Sequence, residues 1–425
     1  MKSAKPEIMS PAGDFVCMDA ALRAGADAVY FGIRGSNMRA GAGNFSISDI
    51  PRAVKMCSRF GAKAYLTLNT VYFDNEIAML RRVLKRAAQS GIDAVIAWDF
   101  SAISAAREFG LPVFLSTQAS VSNSEAIAQY NLNFGINRFV LARECTLQNL
   151  KSVRSGLRRI LGASKAGKIE IEVFAHGAMC VSVSGRCFMS QFQSGKSANR
   201  GECMQPCRRM YRVFPKMLPG DSSFRADSGE FCVGDGFVLS PKDLCTIPFI
   251  EKLIQAGVNS LKIEGRNRNA QYVDVVTSAY RRAVDYYFQN RKKSGFEADF
   301  SALKKDLLQE LSTVFTRGFS DGFYMGKPSG DWTSEGNVST KKKTVVGRVK
   351  NYFSKIGVAE ISVECKSLRP GDEICFEGNT TGYFLCKIET MHGQSGEIEQ
   401  ARRGDVVGVR VPRRVRPSDR VYALV

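Results

Sequence analysis

The chain has 425 residues, 44% of them hydrophobic, enough for two or three domains with ordinary cores. It holds no run of 18 or more apolar residues, which argues against a transmembrane helix. Sixty basic against 41 acidic side chains give +19, a balance that concentrates polyanions and makes RNA or DNA the expected partner, although a solvated basic surface has the same signature.

The start, MKSAKPEIMSPAGDF, has no apolar h-region and no cleavage pattern, so no signal peptide is expected. That places the protein in a cytoplasmic, reducing setting. The twelve cysteines there suit metal binding or redox chemistry better than a disulfide framework.

One phrase repeats along the first 290 residues: a helical stretch, a glycine, then a short apolar run. It occurs as AGADAVYFG (24–32), FGAKAYLTLN (60–69), SGIDAVIAWD (90–99), FGLPVFLSTQ (109–118), FGINRFVLARE (134–144) and AGVNSLKIEGR (256–266). Glycine closes a helix in the left-handed conformation, and an apolar run suits a strand buried on both faces. With EIMSPAG (7–13) and IEIEVFAHG (169–177) the count is eight strands, helical segments such as 75–89 and 123–133 lying between them. This predicts an α/β fold, a parallel (β/α)8 TIM-like barrel over residues 1–290.

Barrel chemistry sits at the C-terminal ends of the strands. The polar residues expected there are Ser10, Asn69, Asp99, Gln118, Arg143, Glu144, His176, Lys262, Glu264 and Arg266. Helix capping accounts equally well for Ser10 and Asp99. Arg143–Glu144 and Lys262–Glu264–Arg266 flank apolar strands and need a partner or a ligand, pairing among themselves being the alternative.

Roughly 80 residues separate strands seven and eight, against the usual two to six for such a loop. This is a Cys-rich insertion, about 176–243, and it carries Cys180, Cys187, Cys203 and Cys207. The three-residue spacing of the second pair suits zinc, and the six-residue spacing of the first does not. Four thiolates around an iron–sulfur core tolerate both spacings. Cys232 and Cys245, in or beside the insertion, are alternative ligands. Cys17, Cys57, Cys365, Cys375 and Cys386 fall in helix or strand patterns as small core residues, and a structural role is expected for Cys145. His176, four residues before Cys180, is the candidate for acid–base work or an anion contact.

Residues 291–344 read as a helical extension followed by a Gly/Ser/Lys-rich linker. Short alternating strands with glycine punctuation over 345–425 predict a small all-β barrel. Residues 341–425 carry 16 Lys and Arg against 10 Asp and Glu, densest in RVPRRVRPSDR (410–420), where RNA backbone contact is plausible.

EVFAHGAMCVSVSGRCFMS (172–190) resembles the signature of the collagenase-like peptidase family, E-x-F-x-x-G-[SA]-x-C-x(4)-G-x-C-x-x-S. SPAGDFVCMDAALRAGADAVYFG (10–32), LSTQASVSN (115–123), VLARE (140–144), SPKDL (240–244) and SLKIEGR (260–266) match the family as well. The old name implies a peptidase, possible here only with zinc on some of the same thiols.

Other branches of the family imply oxygen-independent hydroxylation: of wobble uridine in tRNA to 5-hydroxyuridine, of a cytidine in rRNA, or of the ubiquinone ring. The cysteine pattern and the C-terminal β-domain most resemble the tRNA branch. That resemblance implies a [4Fe–4S] cluster on Cys180, Cys187, Cys203 and Cys207, prephenate as co-substrate, and a tRNA anticodon loop as partner. A non-catalytic RNA-binding assembly partner is a third reading. On the hydroxylase reading, Arg143, Lys262 and Arg266 are candidates for the anion and His176 and Glu264 for proton transfer. Asn69, Gln118 and Glu144 complete the expected substrate contacts.

Overall fold

The computed structural model describes residues 4–39, 41–211, 236–326, 328 and 330–425. Nine strands open the chain: β1 (Glu7–Ala12), β2 (Ala28–Gly32), β3 (Lys63–Leu68), β4 (Ala94–Ala97), β5 (Val113–Leu115), β6 (Arg138–Val140), β7 (Glu170–Gly177), β8 (Asp243–Cys245) and β9 (Ser260–Ile263). β1 to β7 pair in parallel with their neighbours in chain order. β9 then pairs in parallel with both β7 and β1 and closes an eight-stranded barrel. The predicted closed sheet is observed, and all eight predicted segments supply its staves.

The punctuating glycines behave as read: Gly25, Gly61, Gly91, Gly110, Gly135 and Gly257 all have φ between 65° and 88°. Helices Phe15–Arg23, Ile50–Arg59, Ile77–Gln89, Phe100–Glu108, Ser124–Phe134, Leu147–Ala166, Ile250–Gln255 and Ala270–Asn290 cover the outside of the strands. Asp99 caps one of them, its carboxylate accepting from Ser101 N at 2.9 Å. Ser10 is buried and shares a 2.6 Å hydrogen bond with Thr277.

Inside the barrel the alternation of strand residues separates two kinds of lining. Met9, Ala28, Tyr30, Tyr65, Ala94 and Ile96 form a small apolar cluster of strand residues only. Facing them is an ionic chain. The Glu172 carboxylate, fully buried, accepts from Arg138 Nε and from Lys262 Nζ, each at 3.0 Å, and Arg138 also pairs with Glu7. Lys262 therefore pairs across to β7, not with Glu264 two residues along its own strand.

β8 was not predicted. It runs antiparallel to the end of β7, with His176 opposite Cys245, and is itself joined in parallel by β10 (Phe319–Ser320). This short return lies over the mouth end of β7 and changes the surroundings of His176. Helix Phe296–Ser312 follows the barrel, and residues 331–340 lie against it through Thr333 N to Ser240 O and Val338 N to Thr316 O, both 2.9 Å.

The remaining strands are β11 (Lys343–Phe353), β12 (Val358–Val363), β13 (Glu373–Gly378), β14 (Gly382–Lys387), β15 (Met391–Gly393), β16 (Gly396–Glu397), β17 (Val406–Arg410) and β18 (Arg420–Leu424). They form one antiparallel sheet in the order β14-β13-β18-β11-β12-β17-β15-β16 around its own apolar core. Cys375, Tyr383, Tyr422 and Leu424 join the barrel's core cluster, so the sheet is packed against the barrel. The backbone of Gly382 comes so close to the first helix that a Cβ there would lie 1.9 Å from the Asp19 carboxylate.

Candidate functional site

The cysteine loop is drawn across the barrel mouth by side chains from three different strand ends. After β6, the Glu144 carboxylate accepts from Ser184 N at 2.6 Å and from Ser184 Oγ at 2.8 Å. After β5, Ser120 Oγ accepts from Arg186 at 2.8 Å. After β3, Val71 O and Glu76 accept from Arg200, each at 2.9 Å, while Asn199 Oδ1 accepts from Cys187 N at 3.0 Å. Arg208 closes the far side by donating to Ser240 Oγ at 2.9 Å, Pro241 O at 2.6 Å and Met179 O.

Beneath this roof lies a cavity. Cys180, Cys187, Cys203 and Cys207 all line it, and each is half-buried. Residues 27 positions apart at the extremes reach one cavity because the loop doubles back through short helical turns at Val183–Gly185, Met189–Ser194 and Ala198–Arg200. Burial pushes the Cys207 thiol up, with Arg208 opposing. Among the described residues no three His, Cys, Asp or Glu side chains are gathered as the ligands of a single metal ion are. The four thiols line one cavity, and Cys207 feels the charge of the other three.

The opposite walls come from the strand ends. Asn69 and Gln118 line the cavity: Asn69 Oδ1 accepts from Met38 N at 3.2 Å, and Gln118 Oε1 accepts from Ser116 Oγ. Arg143, Lys262, Glu264 and Arg266 line it too. Arg143 is half-buried with its guanidinium carbon 4.4 Å from the centre of the Phe174 ring. Lys262 Nζ stands 4.6 Å from the centre of Tyr30, and burial lowers its pKa against the pull of Glu172. Arg266 donates to Thr67 Oγ1 at 2.9 Å, and burial brings its pKa down to about 10. Gly32 makes room for that guanidinium, since a Cβ there would lie 2.3 Å from Arg266 Nη1.

Glu264 accepts from Arg39 at 2.9 and 3.1 Å. Burial raises its pKa, but Arg39, Arg143 and Arg266 outweigh it and hold the carboxyl at about 2. So firm an anion is a weak proton acceptor and serves as the counter-charge of the arginines.

Two predicted residues are not brought to the cavity. His176 is 2% exposed and its ring packs among Tyr272, Tyr280 and Phe319, because β8 and β10 cover the end of β7. Burial, reinforced by Arg268, lowers its pKa to about 3. The imidazole stays neutral and enclosed, which corrects the acid–base expectation. Glu144 is committed to Ser184, so its place is in fastening the cysteine loop and not on the cavity wall. Cys245 is buried beside Tyr280, away from the four thiols, and Cys232 lies outside the described residues. Cys17, Cys57, Cys145 and Cys375 are buried as expected, whereas Cys365 is exposed, its place at the end of β12 turning it outward.

Arg39 was missed. It lies in the loop after β2, far from any cluster motif, and only the length of that Gly- and Asn-rich loop (33–46) marked it as more than a connection. Arg268 and Arg317, which reach an adjoining cavity, were missed for a similar reason: neither lies at a strand end. In the basic run 410–420, Arg413 lies over Phe384 and donates to Tyr383 O, and Arg416 bonds Thr381, so only Arg410, Arg414 and Arg420 are exposed.

Residues 13–334 match the profile of peptidase family U32. The chain belongs to that family. A Porphyromonas gingivalis protein named collagenase is 41% identical over 98% of this chain and 97% of its own length. The Bacillus subtilis tRNA hydroxylation protein P1 is 32% identical over 98% of this chain and 94% of its own. The Escherichia coli 23S rRNA 5-hydroxycytidine C2501 synthase is 33% identical over 76% of this chain and 46% of its own. U32 relatives thus carry both peptidase and RNA-hydroxylation names. Among the described residues no helix is long and apolar enough to cross a membrane.

Proposed function

We propose that this U32 protein is an RNA-modifying hydroxylase that acts on the wobble uridine of tRNA and carries a [4Fe–4S] cluster on Cys180, Cys187, Cys203 and Cys207. One observation carries the reading: the four thiols of a single loop line the same cavity as a set of cationic and amide side chains from the strand ends. An iron–sulfur core takes four thiolate ligands, and Cys207 feels the charge of Cys180, Cys203 and Cys187. Bound there, such a cluster would supply electrons or an activating iron to the reaction. Arg39 and Arg208 near the thiols favour the thiolate form and would offset the cluster's negative charge.

The chain's own groups then have separable tasks. Tyr30 and Phe174 give apolar walls for a ring, while Asn69, Ser116, Thr117 and Gln118 offer donors and acceptors to a pyrimidine edge. An anticodon loop is already single-stranded, so presenting a base costs little unstacking. The arginines of the mouth suit an acidic co-substrate, for which prephenate is the proposed molecule.

The peptidase reading has the relatives' names behind it and less geometry. A hydrolytic site needs a water-activating metal or a nucleophile beside a base. His176 is sealed away, and His392 belongs to the C-terminal sheet.

Anaerobic purification with iron, sulfide and zinc assays and a visible spectrum, on the native chain and on Cys187→Ala, tests the cluster. Stoichiometric zinc with neither iron nor sulfide would sink it. Nucleoside analysis of tRNA from cells lacking this protein and any paralogue tests the substrate. Undiminished 5-hydroxyuridine derivatives would remove the tRNA assignment.

A further inference from the structure

A second cavity adjoins the first and shares Cys180, Cys203 and Cys207 with it. Five arginines line it, Arg39, Arg143, Arg208, Arg268 and Arg317, with Glu264 the one acidic side chain among its described lining. Two of the five make close ion pairs: Arg39 with Glu264 at 2.9 Å and Arg317 with Asp243 at 3.1 Å. Arg208 is spent on neutral oxygens of Met179, Ser240 and Pro241.

Arg143 and Arg268 differ from these. Neither makes a side-chain hydrogen bond or ion pair among the described residues, yet both are held in place by aromatic rings. The guanidinium carbon of Arg143 is 4.4 Å from the centre of Phe174, and that of Arg268 is 3.6 Å from the centre of Phe315. A ring beneath a guanidinium fixes its plane and leaves the N–H fork free for a planar oxyanion.

The thiols do not account for both. Arg39 feels Cys180 and Cys203, and Arg208 feels Cys207 and Cys180, so these two are the natural counter-charges of thiolates. The strongest electrostatic partners of Arg268 are Tyr272, Asp243, Arg317 and Glu264. In the barrel lumen, by contrast, Lys262 is taken by Glu172 and Arg266 bonds Thr67. What remains there to meet a ligand is mostly neutral: Asn69, Ser116, Thr117 and Gln118.

We propose that the anionic co-substrate, a small molecule bearing carboxylates, binds in this second cavity through the forks of Arg143 and Arg268, leaving the lumen to the base. The assignment rests on the hydroxylase reading for the identity of the ligand and not for the existence of the site. Because the two cavities share Arg143 and three of the thiols, both ligands would border the same centre.

The test is calorimetric titration of the anaerobic, cluster-loaded protein with prephenate, without RNA and without turnover. Losing one charge-assisted fork should weaken binding about ten- to hundred-fold in Arg268→Gln and in Arg143→Gln. Arg268→Lys keeps the charge without the fork and should fall between. Iron and sulfide content equal to the native chain certifies folding of each variant. Gln118→Ala should titrate like the native chain while lowering tRNA hydroxylation in complemented cells.

Native-like binding by Arg268→Gln, no binding by the native chain, or loss confined to Arg266→Gln would overturn the proposal. Inorganic phosphate competing as strongly as prephenate would reassign the cavity to an RNA phosphodiester and overturn it as well. Binding that depends on Arg268 in a protein whose deletion leaves tRNA unchanged would retire the RNA reading and keep the anion site.

Discussion

Glu144→Gln tests whether the cysteine loop is latched to the barrel by one carboxylate. Ser184, midway between Cys180 and Cys187, has φ of 44° and ψ of 32°, a left-handed conformation that costs an L-residue about 1–2 kcal/mol. Its backbone N–H and hydroxyl both donate to Glu144, at 2.6 and 2.8 Å, and these bonds hold the turn. Glutamine keeps one acceptor oxygen and turns an N–H toward the second donor. One charge-assisted hydrogen bond is worth about 1.5–3 kcal/mol, and the lower end applies to a half-buried group. Local opening of the turn should therefore become about tenfold more frequent.

The assay is alkylation of reduced, metal-free protein followed residue by residue by mass spectrometry. Cys180 and Cys187 should react about tenfold faster in the variant. Cys203 and Cys207 should be unchanged, because their stretch is fastened separately through Arg200 and Arg208. Ser184→Gly, which relieves the backbone strain while losing the hydroxyl bond, should lie near the native rates. Equal acceleration of all four thiols, or none, would refute the latch.

Three other outcomes follow from the same structure. Glu172→Gln leaves Lys262 with an uncompensated buried charge, while Arg138 keeps Glu7, and should cost about 3–5 kcal/mol in urea unfolding, with Glu172→Gln/Lys262→Met recovering part of it. Gly135→Ala should cost only about 1 kcal/mol, since φ is 65° but a Cβ there meets nothing within 4 Å; a larger loss in the same measurement would show that packing also matters. His176, with its folded pKa held near 3, cannot take the proton that the unfolded chain binds below about 6.5. Stability should thus fall as pH drops from 6.5 toward 3, by at most about 1.4 kcal/mol per unit, and His176→Gln should flatten that slope in acid titrations of stability.

The barrel was legible because its signals are local. A glycine closing each helix and a short run of apolar residues are properties of ten-residue windows, and the eight predicted segments supplied the eight staves. The long gap after the seventh strand likewise announced an insertion. The polar residues were harder. Sequence periodicity put Glu144, His176, Lys262, Glu264 and Arg266 together at strand ends, but it could not say which would spend their charge on one another. Lys262 found Glu172 on the neighbouring strand, Glu144 found Ser184 in the insertion, and Arg39 arrived from a loop that no motif distinguished.

The chain's own order of residues thus determined a closed parallel sheet, its added β-domain and the concentration of thiols in one excursion, because each depends on near neighbours. Only the tertiary structure decided which groups face the cavity. A three-residue antiparallel return sealed His176 among aromatics, and two rings left Arg143 and Arg268 oriented but unpaired. Those outcomes depend on contacts between residues tens to hundreds of positions apart, where burial and the competition for counter-charges are settled by geometry and not by pattern.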